Sequence, residues 1–274
     1  MSRPAHPSDW QFKRLLHAAY QTVLPTKLRM DVWNLRRWIR ERGDKWSRQI
    51  PVGLVRFGSL RRLRPIAPDF GWRWGQIIDR YYIEAFLSQH SSDIRGTVLE
   101  VAERLFTVKF GDDRVTHSDI LHVKPGYNDA TIVADLTQAD HIPSETFDCI
   151  ILTQTLQFIF DTRAAIRTLY RILKPGGVLL LTCHGISQIA RYDMDNWGEY
   201  WRFTTLSAEL LFTEVFPKDQ VTIQAYGNVF AATAFLHGLV TEELRHEDLD
   251  FKDPDYEVLV AVRAVRPHPN HADV

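Results

Sequence analysis

Several short apolar runs in this chain end on polar residues of the kind that hold a ligand. Glu100 lies within Thr97–Ala102, and the loop Ala102-Glu103-Arg104 follows it. Asp119 falls near the expected end of a second strand, Asp135 closes Ala130–Ala134, and Thr153 with Gln154 closes Phe147–Thr153. In an open α/β sheet the ligand binds outside the carboxyl ends of the strands, near the switch in strand order. Acids at such ends can accept from ribose hydroxyls and from an adenine amino group, and close backbone suits an amino-acid tail. The set fits a nucleoside that carries such a tail. Any one of these acids is as readily a turn former where a strand meets a loop; their joint placement is what points to a ligand. If the second strand runs further, His122 takes the place of Asp119.

A second group follows the run Val178–Cys183. It comprises His184, Tyr192, Asp193, Asp195, Trp197, Tyr200, Trp201 and Arg202. His184 comes directly after the strand and titrates near neutral pH, so it is the first choice for taking a proton from a hydroxyl. Asp193 and Asp195 are the other candidates. Two acids alone make too weak a ligand set for a metal, and none is assigned. Trp197, Tyr200 and Trp201 can stack on a sugar ring, Tyr192 is a further candidate for binding the substrate, and Arg202 can clamp a phosphate or carboxylate. The plainer roles are a turn cap for His184, core packing for the aromatic residues and a salt bridge for Arg202. His237, amid Phe235, Leu236 and Leu239, reads as a core histidine.

These residues need elements to position them. Phe147–Thr153 and Val178–Cys183 are apolar on both faces, as buried parallel strands require. Between them, Thr162–Leu173 sets Ala165, Ile166, Leu169, Ile172 and Leu173 on one helical stripe. Asp161 is its expected N-cap, and Pro175-Gly176-Gly177 stops it. Ile77–Leu87, Leu206–Phe216 and Val229–Arg245 read as helices, and Val221–Tyr226 and Tyr256–Val265 as strands. The alternation predicts a doubly wound α/β sheet.

The chain has 274 residues, of which 45% are hydrophobic and 24% charged, enough for a sizeable core. No apolar run approaches the roughly 18 to 20 residues of a membrane span. The N-terminus lacks the apolar stretch of a secretory signal. Cys149 and Cys183 sit inside strand-like runs, which predicts two buried thiols and a cytoplasmic location. The net charge of −1 conceals a division. Residues 1–95 hold 18 Lys and Arg against 8 Asp and Glu, while residues 96–274 hold 15 against 26. Three organisational segments follow: a basic, tryptophan-rich, mainly helical extension over 1–76, an α/β domain over 77–266 and a disordered tail over 267–274. In the extension, Lys27–Arg42 puts Leu28, Val32, Leu35 and Ile39 on one stripe among basic residues. That helix is expected to dock on the domain or on a partner subunit of a homo-oligomer. The alternative is peripheral contact with the inner face of an anionic membrane. Nucleic acid is set aside, because no recognised binding module accompanies the basic residues.

The runs VLEVAERLFTVKFG, ATIVADLTQADHIPSETFDCIILTQTLQFI and AAIRTLYRILKPGGVLLLT resemble, in order and spacing, the motifs of class I S-adenosylmethionine-dependent methyltransferases. FDCIILTQTLQFI followed by RILKPGGVLLL resembles the type-11 group most specifically. Trp197–Thr204 (WGEYWRFT) resembles a subset encoded among glycosyltransferase and surface-polysaccharide genes. The likeness covers roughly residues 77–265. It implies a mostly parallel seven-stranded sheet and S-adenosylmethionine as cofactor. It implies Glu100 and Ala102 in the first motif, Asp119 at the ribose, Asp135 with Leu136 at the adenine, and Thr153 with Gln154 beside the methionine. It also implies O-methylation of a sugar, a glycan or another small polar acceptor. The first loop departs from the family, which is glycine-rich there; here it reads Ala102-Glu103-Arg104-Leu105, with no glycine before Gly111. That departure supports an alternative, a catalytically inactive domain of this fold that serves as a binding or partner module. A non-methylating enzyme using the same pocket is a third reading.

Overall fold

The structure, a computed structural model, describes residue 50, residues 53–127 and residues 129–268. The segment Lys27–Arg42 and residues 269–274 of the expected tail lie outside the described residues. The chain forms two compact units, Met1–Arg61 and Arg62–Val274. Of the first, one short 3-10 turn, Gly58–Leu60, is described.

The second unit is built on seven strands: β1 Gly96–Val101, β2 Val115–His122, β3 Ile132–Val133, β4 Phe147–Thr153, β5 Leu173–His184, β6 Val221–Tyr226 and β7 Leu259–Val265. Their order across the sheet is β3-β2-β1-β4-β5-β7-β6. β1 pairs in parallel with both β2 and β4, and β7 runs antiparallel between β5 and β6. The expected doubly wound, mostly parallel seven-stranded sheet is what forms. Chain order reverses between β1 and β4, so the crevice at their carboxyl ends is where this topology places a ligand.

Both faces of the sheet are covered. On one side lie α1 (Ile78–Gln89), α2 (Leu105–Gly111) and α6 (Val229–Leu236), over a core that includes Tyr82, Phe86, Val98, Ile151, Leu180 and Phe235. On the other lie α3 (Thr162–Ile172) and α5 (Thr205–Thr213), over Leu99, Ile150, Leu152, Leu179, Leu181 and Phe212. The apolar stripe of α3 is buried as its spacing predicts, and Asp161 caps the helix by accepting from the Ala164 N–H at 2.9 Å. Cys149 and Cys183 are both buried and unbridged.

Several boundaries differ from the sequence pattern: β5 begins at Leu173 and takes in Pro175-Gly176-Gly177, α5 ends at Thr213 rather than Phe216, and β7 begins at Leu259 rather than Tyr256. The helix expected over Val229–Arg245 ends at Leu236, because Gly238 turns left-handed at φ 69°. A Cβ there would also meet the Ala67 carbonyl at 2.1 Å, so only glycine fits. The chain then passes through Thr241–Glu243 into a short helix, α7 (His246–Asp250). The compact unit also begins ahead of Ile77. The Ile66 and Ala67 N–H groups donate to the His237 carbonyl, and Thr241 donates to the Gln76 carbonyl. These backbone bonds tie the stretch before α1 to the turns after α6, a pairing that no local periodicity announces. The His237 ring is not satisfied in the core as expected, since its buried Nδ1 has no partner among the described residues.

Candidate active site

A cleft of about 910 Å³ opens at the carboxyl ends of β1, β2, β3, β4 and β5. Glu100, Ala102, Asp135, Leu136, Thr153, Gln154, His184, Asp193 and Trp197 all line it. Asp119, Tyr192, Asp195, Trp201 and Arg202 do not.

Glu100 reaches the cleft wall with its carboxylate already engaged. Oε1 accepts from the Phe106 N–H at 3.0 Å, and Oε2 accepts from the Thr107 N–H at 2.7 Å and its hydroxyl at 2.6 Å. α2 has no side-chain cap of its own, so this buried acid from β1 satisfies the free donors of its first turn. Burial pushes the Glu100 pKa up against those bonds.

Ala102 follows β1 in the left-handed region at φ 68°, and its N–H donates to the Leu121 carbonyl at 3.0 Å. The loop therefore bends as a glycine-rich one would, using alanine at a cost of roughly 1–2 kcal/mol. Gln154 does the same after β4, at φ 47°. Its side-chain Oε1 accepts from Gln157, while its buried Nε2 has no partner among the described residues. Asp135 uses only Oδ1 locally, accepting from the Thr137 N–H and hydroxyl, both at 2.8 Å. It is a turn former and a cleft residue at once.

The expectation for Asp119 is corrected. β2 runs to His122, so Asp119 sits mid-strand, accepts from the Thr131 hydroxyl at 2.7 Å and lies 3.2 Å from His117. At the strand's end stands His122, stacked on Tyr127 with centroids 3.9 Å apart and edge-on to Trp197 at 5.4 Å. Lys124 lies 4.1 Å over the Trp197 ring. Trp197 ends α4 (Arg191–Trp197), so this aromatic cluster joins that helix to the β2 edge.

His184 ends β5 at 4% exposure, and each ring nitrogen faces a carboxylate. Nε2 lies 3.6 Å from Asp79 and Nδ1 lies 3.7 Å from Glu199. The Gln157 carboxamide approaches Nδ1 at 3.4 Å. Burial alone would lower the histidine pKa, but the two acids outweigh it and the net shift is upward. Both ring nitrogens face carboxylates of the protein itself, which argues against His184 as the base. Glu199 also accepts from the Ala190 N–H at 2.9 Å and pairs with Arg202 at 2.6 Å. Arg202 is thus bound within the protein, as a salt bridge. Asp195 is exposed and pairs with Arg191 at 3.1 Å. Asp193 faces the cleft half-buried, its pKa raised by burial and by Glu199.

Sequence reasoning missed Asp79, Arg80, Gln157 and Glu199. Arg80 lines the cleft with its guanidinium 4.8 Å over the Phe106 ring and no carboxylate partner among the described residues. Asp79 and Arg80 come from α1, far along the chain from the strand ends, while Gln157 and Glu199 lie inside the quoted runs FDCIILTQTLQFI and WGEYWRFT, where nothing local shows that they meet His184. Among the described residues no three His, Cys, Asp or Glu side chains gather as a metal site would need, and no helix is long and apolar enough to cross a membrane.

Residues 92–181 match the family model described as Methyltransferase domain. Over 45 residues the chain is 42% identical to the ubiquinone/menaquinone biosynthesis C-methyltransferase UbiE of Haemophilus ducreyi (strain 35000HP / ATCC 700724), covering 16% of this chain and 17% of that protein. Over 39 residues it is 49% identical to the protein of that name from Enterobacter sp. (strain 638), covering 14% and 16%. The chain spans less than a fifth of the length of these curated relatives. Among solved structures it is similar to the N-methyltransferase NodS from Bradyrhizobium japonicum WM9, at 18% identity and TM-score 0.45, covering 74% of this chain and 95% of that one. It is also similar to a SAM dependent methyltransferase from Archaeoglobus fulgidus, at 10% identity and TM-score 0.45, covering 68% and 94%. The strand-end loops after β1, β2, β3 and β4, which build the cleft, all fall within the match to a methyltransferase domain.

Proposed function

We propose that this chain is an S-adenosylmethionine-dependent methyltransferase that transfers the methyl group to a hydroxyl oxygen of a glycan or another small polar acceptor. The observation that carries the reading is the cleft at the switch between β1 and β4, whose loops after β1, β2, β3 and β4 lie within the methyltransferase-domain match, while its lining from α1 and from beyond β5 lies outside that match. Its residues fit the cofactor. Ala102 supplies the left-handed bend that the first loop needs without a glycine. Gln154 keeps a buried amide donor, and Asp135 one carboxylate oxygen, without a partner among the described residues, and the latter can accept from an adenine amino group. Arg80, a cation in the cleft without a carboxylate partner among the described residues, would hold the methionine carboxylate. The ribose would meet the His122 end of β2, where no acid stands.

When bound, S-adenosylmethionine supplies an electrophilic methyl group. The chain's own part is to orient the acceptor, exclude water and take the hydroxyl proton. Asp193 suits that last role: it faces the cleft, and a carboxylate whose pKa is raised is a better proton acceptor near neutral pH. His184 would act as a positioning residue. Its link to Glu199, and through Glu199 to the Ala190 N–H at the start of α4, holds the helix that carries Asp193. Trp197 would cover the cofactor side of the cleft, while Tyr192 and Trp201 would stand outside it near the acceptor.

A second reading, an inactive module that binds a partner or substrate, is favoured by one observation: the first loop lacks glycine, and Glu100 is spent on α2. Calorimetry with S-adenosylmethionine and with its demethylated product separates the two. Micromolar binding supports the enzyme, and silence at millimolar ligand supports the module.

A further inference from the structure

The cleft has an aromatic threshold. Phe160 and Tyr200 line it and are 70% and 50% exposed, and Trp201 beside them is 38% exposed. Exposed rings of this size standing together at a cleft mouth are a docking feature rather than core. Their geometry is fixed. The Trp201 indole N–H donates to the Ile159 and Phe160 carbonyls at 3.1 and 3.3 Å, which locks the ring. Phe160 stacks on it with centroids 5.8 Å apart at 28°, and Tyr200 meets Phe160 edge-on at 5.4 Å. The Tyr200 N–H donates to the Gln157 carbonyl at 2.9 Å, anchoring the platform to the turn behind His184.

We infer that Phe160, Tyr200 and Trp201 form the acceptor platform, and that its occupant is a hydroxylated saturated ring, a pyranose or similar polyol. The inference rests on the methyl-transfer reading for what happens next, but the platform is a binding site in its own right. Polar acceptors within the same cleft decide the occupant. Asp161, Asp193 and Asn196 line the same cleft. Asp161 spends Oδ1 on the Ala164 N–H, and Asn196 spends its Nδ2 on the Tyr192 carbonyl. Their other oxygens have no partner among the described residues and can accept from hydroxyls. A purely apolar occupant would cover these acceptors without satisfying them, which is unfavourable. A sugar ring offers C–H bonds on one face for the aromatic rings and O–H groups at its edge for the acceptors.

The test uses the full chain with its tryptophan indoles 15N-labelled, the Trp201 resonance being assigned through Trp201→Phe. A methyl hexopyranoside is titrated in, and hydroquinone is titrated separately. The expected result is a saturable shift of the Trp201 signal with the pyranoside, weakened about two- to tenfold in Phe160→Ala and in Tyr200→Ala. No shift with the pyranoside overturns the platform, as does a titration indifferent to both alanine variants. A shift with hydroquinone alone overturns the hydroxylated ring. Calorimetry of the unmodified protein with S-adenosylmethionine reports separately on methyl transfer, so pyranoside binding without cofactor binding would remove that reading and leave the platform standing.

Discussion

His184 Nε2 and the Asp79 carboxylate lie 3.6 Å apart, joining the end of β5 to the first turn of α1 across the floor of the cleft. With Glu199 on the other nitrogen, the imidazole joins the end of β5 to α1 and to the turn after α4. Its raised pKa sets the sign of a pH effect. A histidine whose folded pKa lies above the ordinary 6.5 adds stability in full below that value and loses it as pH rises through the raised one. The margin of the wild type over His184→Gln should therefore be widest below the ordinary histidine pKa and narrow as pH rises through the raised one, measured by denaturant unfolding across pH. On the acid side Glu199 sets the limit. Burial works against its ionisation, but His184, the Ala190 amide and Arg202 lower its pKa overall, so its contribution fades as pH falls below about 4.5. A margin that grew with pH would contradict the upward shift.

The assignment of Asp193 makes a separate claim. Asp193→Asn removes a proton acceptor and keeps the side chain's shape, so turnover should fall by about 10² to 10⁴. Cofactor affinity should change little. Product formation with a hydroxyl acceptor that supports turnover is the measurement. Asp195→Asn, whose carboxylate is exposed and paired with Arg191, should stay near wild type. Equal losses in the two variants would point to disturbance of α4 rather than lost chemistry.

Asp135 offers a test of the cofactor pocket. Asp135→Ala removes a charge-assisted bond worth roughly 1.5–3 kcal/mol, or about ten- to hundredfold in affinity for S-adenosylmethionine. The same change deletes the Thr137 turn contacts, so unfolding should be followed alongside calorimetry. A folded variant with unaltered affinity would take Asp135 out of the pocket.

How far the site could be read from sequence follows from what local patterning encodes. Glu100, Asp135, Thr153 and Gln154 were found because a buried parallel strand is a continuous apolar run whose end is visible, and strand ends are where this topology binds. Asp119 was misplaced because the polar, half-exposed β2 gives no such run, and a strand read a few residues short moves every assignment at its end. His184 was legible at the end of its strand, but its carboxylate neighbours were not. The carboxylates that face it, Asp79 and Glu199, come from α1 and from beyond α4, and only the folded chain brings them together. Helix α3 was legible to its N-cap, whereas the break at Gly238 depends on the Ala67 carbonyl approaching from the stretch before α1.

The last prediction concerns Ala102, where the glycine-poor first loop is either a working variant or a lost one. Alanine at φ 68° carries a strain of roughly 1–2 kcal/mol that glycine does not, while glycine costs about 0.5–1 kcal/mol in unfolded-chain entropy. The strain is the larger quantity. Ala102→Gly should therefore hold or raise the melting temperature, while Ala102→Val, β-branched in the left-handed region, should lower it clearly. Binding of S-adenosylmethionine completes the argument. If the loop already bends as a cofactor loop must, glycine adds little and affinity should stay within a fewfold of wild type. A large gain in affinity on introducing glycine would mean that the alanine loop obstructs the cofactor, and would move the balance toward the inactive module.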